Sequence, residues 1–261
     1  MKAILAGYGE VGKGIFGAWK DKHEITIQDM QENCFAMMDG DYKVMLVAFP
    51  YSENFIQMVR HHQGLFQPKV TIIFSTVPVG TTSQIENAVH SPIEGHHENM
   101  VEYIKAASRW IGGYNKTAMR FFLDITNNIV VLEKPEYTEF LKLRSLAYYA
   151  SSIEFARYTD SVCEKLDLDY GKVIDYDRDY NWLVEEMGRP DCIRSILTAP
   201  KEQIGGHCIL PGVKMLRGQY PDSLVSDILY KNNTEDIDRK DFIDTNKEDR
   251  LKKLEKSVAN N

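Results

Sequence analysis

The residues best placed to do chemistry lie in short glycine- and hydroxyl-rich segments. Gly7-Tyr8-Gly9-Glu10-Val11-Gly12 directly follows an apolar run at the N-terminus. Gly7 suits a tight turn, Gly9 lets backbone approach a pyrophosphate, and Gly12 lets a helix pack closely on a strand. The N–H groups of the helix that opens at Glu10 and Val11 would face the anion. Asp29 follows about twenty residues on, where a carboxylate accepts hydrogen bonds from a ribose 2′-OH and repels a 2′-phosphate. The pattern therefore predicts NAD in preference to NADP. A second segment is Ser75-Thr76-Val77-Pro78-Val79-Gly80-Thr81, with Ser75 and Thr76 at the end of another apolar run. Polar groups at the C-terminal ends of parallel strands line the ligand crevice. A third is Gly205-Gly206-His207-Cys208-Ile209, in which paired glycines present a thiol, a candidate nucleophile.

Regular elements must position these groups. Residues 3–6, 24–27, 44–48 and 70–74 are short runs apolar on consecutive positions, as in strands buried on both faces of a parallel sheet. Segments long enough for helices separate them, so the rhythm predicts an α/β fold, a Rossmann-type doubly wound parallel sheet, over residues 1–133. Residues 136–166 lack Gly and Pro and are apolar on nearly every face, which predicts a long helix buried against a second layer or another subunit. It opens a mainly helical substrate and dimerisation domain over residues 134–230. Asp169 is placed to cap a further helix through Val173, whereas residues 175–203 read as mixed. Residues 231–261 are heavily charged with signs interleaved, as in a solvated tail or peripheral helix. Leu251, Leu254 and Val258 share a helical spacing there.

Composition excludes several classes. With 31 Lys+Arg against 38 Asp+Glu the formal charge is −7, which disfavours a phosphate-tracking surface and hence a nucleic-acid partner. No run approaches the roughly 18 apolar residues of a membrane span. The start runs straight into the glycine motif, without the length of a signal peptide. Cys34, Cys163, Cys192 and Cys208 show no metal or redox spacing, consistent with reduced thiols in the cytoplasm. His61-His62 and His96-His97 point apart on either regular element and lack a third ligand at metal spacing, so no metal is expected. His207 beside Cys208 is a candidate for tuning the thiol. Tyr148-Tyr149 fit packing better than base stacking.

Taken together, the Gly-x-Gly-x-Val-Gly loop, Ser-Thr-Val-Pro-Val-Gly-Thr, Ile111-Gly112-Gly113 and Gly-Gly-His-Cys-Ile resemble the UDP-glucose/GDP-mannose dehydrogenase family over about residues 1–220. The Gly-Gly-His-Cys form is most similar to the branch that forms UDP-N-acetylmannosaminuronate. Glu139-x-x-Lys142, Cys163-Glu164 and Asp169-x-x-x-Val173 agree in order. The resemblance implies oxidation of a sugar alcohol by NAD in a homodimer. Cys208 would be the nucleophile that captures an aldehyde as a thiohemiacetal and then a thioester. Lys142 would stabilise alkoxide or oxyanion charge, and Thr76 would position water. Glu94, in Ser91-Pro92-Ile93-Glu94-Gly95, lies one residue from the family's Ser-Pro-Glu base. Two polar positions of the family are lost: its Asn four residues after the lysine is Leu146, and its Asp four residues after the cysteine is Gly212. The charged tail does not match the family's second nucleotide-binding domain. The substrate is therefore expected to be a polar or sugar-like alcohol rather than necessarily a sugar nucleotide. The alternatives are a two-electron hydroxyacid or alcohol dehydrogenase and an NAD-binding protein without turnover.

Overall fold

A computed structural model describes residues 1–29, 41–95, 97–200, 204 and 208–232. Cys34, His96, Gly205, Gly206, His207 and the tail bearing Leu251, Leu254 and Val258 lie outside the described residues. The chain divides into two compact units, Met1–Arg144 and Ser145–Asn261.

In the first unit, seven strands among the described residues form one sheet. They are β1 (Lys2–Ala6), β2 (Glu24–Gln28), β3 (Val44–Val47), β4 (Val70–Ile73), β5 (Ala88–His90), β6 (Arg109–Gly112) and β7 (Ile129–Leu132). Their order is β2-β1-β3-β4-β5-β6-β7. Neighbours are parallel except β5 and β6, which run antiparallel through the pair His90↔Gly112. The connecting helices are α1 (Glu10–Trp19), α2 (Phe55–Phe66), α3 (Met100–Ala106) and α4 (Lys116–Leu123).

Consecutive apolar residues in the strands serve opposite faces, because side chains alternate across a sheet. Ala3, Leu5, Leu46 and Ile72 join Ile15 and Trp19 of α1, Ile104 of α3 and Phe121 of α4 in one core layer. Ile4, Met45, Val47 and Ile73 join Phe55 and Val59 of α2 in the other. The sheet is doubly wound, as the apolar runs predicted. Strand succession reverses between β1 and β3, and ligands bind such sheets outside the carboxyl ends of the strands at that point.

The long helix α5 spans Pro135–Leu166. The second unit continues with α6 (Tyr170–Glu186), α7 (Ile209–Gln219) and α8 (Ser223–Lys231). Asp169 caps α6, its carboxylate accepting from the Lys172 N–H at 3.2 Å. The helix runs well past Val173, so the first part of the stretch read as mixed is helical. Several large apolar residues of α5 are exposed within the single chain, Phe155 at 69% and Tyr158 at 63% among them.

Candidate active site

The glycine loop is built by close approaches that a side chain would prevent. Gly7 adopts φ +95°, and its N–H donates to the Gln28 carbonyl at 3.0 Å. A Cβ at Gly7 would lie 2.7 Å from the Phe49 nitrogen, so the turn is seated against the chain leaving β3. A Cβ at Gly12 would lie 2.2 Å from the Gly7 carbonyl oxygen, so the first turn of α1 rests on the same turn. Gly9 differs. It caps α1, and among the described residues a Cβ there would meet no atom within 4 Å. A helix N-terminus whose first residue is left clear in this way suits a phosphate. Glu10 and Val11 begin the helix there, with Glu10 exposed. Asp29 stands at the end of β2, and its Oδ2 accepts from the Tyr8 N–H at 2.6 Å. The carboxylate is thereby fixed beside the loop. These residues fit the adenosine and pyrophosphate of a dinucleotide.

The β4 loop and the start of α5 are tied together by buried polar contacts. Ser75 Oγ donates to the Phe49 carbonyl at 2.7 Å. The fully buried His90 places Nε2 3.2 Å from the Ser75 carbonyl, so this nitrogen is assigned the proton. Nδ1 then accepts from the Thr138 hydroxyl at 2.8 Å. Burial drives the His90 pKa down to about 4, keeping the ring neutral near neutral pH. The buried Glu139 accepts from the Gly80 and Thr82 N–H groups at 2.6 and 2.7 Å. Burial raises its pKa against the opposing effect of those bonds. Half-buried Thr76 lies on the loop so held.

Three residues beyond Glu139, Lys142 reaches the chain that leaves β5. Its Nζ donates to the Ile93 carbonyl at 2.7 Å and lies 3.4 Å from Glu94 Oε2. The lysine side chain is 14% exposed and the glutamate 56%. The fold thus brings together two residues that the resemblance implied for chemistry. The ammonium can stabilise an alkoxide, and the more open carboxylate can accept a proton.

Cys208 belongs to the second unit, where it is exposed and caps α7. Gly212, in the first turn of α7, packs on Leu146 of α5, so the two residues that depart from the resembled family touch. His90 and Thr138 were not singled out from sequence. A neutral buried histidine leaves little trace there beyond standing before Ser91-Pro92.

No protein-family model matches the chain, and no curated protein matches its sequence. Solved structures do match its fold. UDP-D-ManNAc dehydrogenase from Pyrococcus horikoshii superposes with a TM-score of 0.71 at 14% identity, over 89% of this chain and 68% of that one. UDP-N-acetyl-mannosamine dehydrogenase Cap5O from Staphylococcus aureus gives 0.64 at 16%, over 90% and 68%. The 3-hydroxyisobutyrate dehydrogenase of Mycobacterium tuberculosis gives 0.61 at 14%, over 87% and 90%. At these identities the shared property is the fold, and this chain has the Rossmann-type α/β fold of such dehydrogenases.

Proposed function

We propose that this chain is an NAD-dependent dehydrogenase that oxidises a CH–OH group of a polar, sugar-like molecule. The observation that carries this reading is the Lys142–Glu94 pair at the C-terminal edge of the sheet whose glycine loop leaves Gly9 clear of the described residues. A nicotinamide cofactor bound there would supply the hydride acceptor. Gly7, Gly9 and Gly12 shape its site, the N–H groups of Glu10 and Val11 meet its pyrophosphate, and Asp29 accepts its ribose hydroxyls. Ser75 and Thr76 border it on the β4 side. Lys142 holds the developing alkoxide and Glu94 takes the proton; the family resemblance gives Cys208, in the second unit, the part of a thiol nucleophile. The working form is a homodimer in the cytoplasm, a setting in which Cys163, Cys192 and Cys208, free in the structure, stay reduced.

A screen of alcohols and sugar nucleotides with NAD, read as NADH absorbance, tests the reading. We expect turnover with a polar alcohol, and NAD binding at least about tenfold tighter than NADP, or roughly 1.4 kcal/mol. Equal or tighter NADP binding refutes the part given to Asp29. Tight NAD binding without NADH from any alcohol would leave a binding protein instead.

A further inference from the structure

We infer that Arg109 is a positioning residue for Glu94: its buried guanidinium takes one carboxylate oxygen when substrate engages Lys142, and so aims the other at the substrate hydroxyl. The catalytic half rests on the dehydrogenase reading; the charge pairing does not.

β6 runs antiparallel to β5 through His90↔Gly112. Its first residue, Arg109, therefore lies on the side of the sheet where Ser91-Pro92-Ile93-Glu94 leaves β5. The Arg109 N–H donates to the Asn128 carbonyl at 2.9 Å, which fixes the backbone there. The side chain is 2% exposed, and Nε and Nη1 are buried without a hydrogen-bond partner among the described residues. A guanidinium does not lose its proton inside a protein, so Arg109 is a buried charge with donors to spare. Such a charge needs an anion. Burial lowers the Arg109 pKa, and Glu94 is the charge that acts against this, so the carboxylate lies within electrostatic reach.

Glu94 is loosely held where it stands. Its Oε2 is 3.4 Å from Lys142 Nζ, longer than the roughly 2.7–2.9 Å of a charge-assisted hydrogen bond. The short bond of the ammonium goes to the Ile93 carbonyl instead, at 2.7 Å. At 56% exposure the glutamate side chain has room to turn. It stands between the ammonium assigned to the alkoxide and a buried guanidinium with unused donors. When Lys142 takes the substrate oxygen, Arg109 holds one oxygen of Glu94, and the other accepts the hydroxyl proton as the hydride leaves for the nicotinamide. A general base works best with an orienting partner, and such bonds often tighten only in the substrate complex.

A double-mutant cycle tests the pairing without any substrate. Urea melts are taken for the parent, Glu94→Gln, Arg109→Met and the double variant. Glu94→Gln should cost at least about fivefold more, in the folding equilibrium constant, with Arg109 present than in the Arg109→Met background. Additivity within about twofold overturns the pairing. Should Arg109→Met fail to fold, the pairing is read in Lys142→Met, where Glu94→Gln should still cost at least about fivefold and a cost within about twofold overturns it. Turnover tests the positioning. Arg109→Lys keeps the charge but not the fork. With an alcohol that gives NADH, it should lower kcat by about tenfold or more, part of the hundredfold that a misplaced group costs. The NAD dissociation constant should stay unchanged, and in the Glu94→Gln background Arg109→Lys should have no further effect on kcat. An equal loss of kcat in both backgrounds overturns the positioning. Absence of NADH from every alcohol refutes the dehydrogenase reading and the positioning with it, while the melts decide the pairing on their own.

Discussion

Lys142 and Glu94 meet where α5 begins beside the chain that leaves β5, and they differ in exposure. The ammonium is held by the Ile93 carbonyl, whereas the carboxylate opens towards solvent. Lys142→Ala should lower kcat by about a hundredfold or more, the scale of losing one group that stabilises transition-state charge. It should leave the NAD dissociation constant unchanged, since the glycine loop is untouched. Steady-state kinetics with an NAD titration separates the two effects, and a changed NAD affinity with unchanged kcat would remove Lys142 from the chemistry. His90 acts on stability. Unfolded, it takes up a proton near pH 6.5; folded, only near 4. The unfolded state therefore binds more protons in that window, and acidification through it should weaken the fold by up to about 3 kcal/mol. Glu139, with its raised pKa, works in the opposite sense and offsets part of the loss. Urea melts of the parent and His90→Gln at several pH values isolate the histidine: the variant should show a shallower fall between pH 6.5 and 4. Parallel curves would assign His90 no such part. Lys142 was legible because its spacing from Glu139 is retained. His90 was not, because its role comes from burial against Ser75 and Thr138, which are distant in sequence.

Among the elements, the β1–α1 turn shows how glycines in one motif differ in purpose. At Gly12 a Cβ would strike backbone, the Gly7 carbonyl oxygen at 2.2 Å, and no rotamer relieves that. Gly12→Ala should destabilise the protein by about 1–3 kcal/mol, as overpacking does. At Gly9 a Cβ would meet none of the described residues, so Gly9→Ala should keep stability within about 1 kcal/mol while occupying the room a phosphate needs. Calorimetry and NAD titration of both variants should show loss of fold stability in one and loss of NAD affinity in the other. Similar behaviour in both assays would mean that Gly9 does not face the cofactor. This motif was readable from sequence because its backbone geometry admits so few residue types. The strands from β5 to β7 were less so. β5 has three residues, and its pairing with β6 rests on His90↔Gly112, too short for a pattern to show. The extent of α6 was hidden for another reason. Its capping Asp169 is visible, but beyond it charged and aromatic residues cover several faces of a largely exposed helix, leaving no clean apolar stripe.

For the molecule as a whole, the surface of α5 and α6 argues for assembly. A helix apolar on nearly every face was expected to be buried, yet the single chain leaves Tyr148 59% and Phe155 69% exposed, and Tyr176 of α6 66%. These residues line one groove of about 640 Å³ with Tyr170, Val173 and Leu197. Clustered apolar exposure of this kind marks interaction sites rather than ordinary surface. Aromatic side chains dominate the cores of such interfaces, and a two-fold axis lets one patch serve both partners. A stable dimer buries on the order of 1,200–2,000 Å² in total, so neighbouring turns of both helices must take part. We therefore expect light scattering to give the mass of a dimer. Phe155→Glu with Tyr176→Glu should shift it to monomer, because two added carboxylates per subunit would be desolvated beside a single guanidinium, Arg194, that Asp177 already pairs. The circular dichroism spectrum should stay unchanged, since both side chains are largely exposed in the chain. A parent that remains monomeric at high concentration removes the homodimer. A double variant that remains dimeric moves the interface away from this groove.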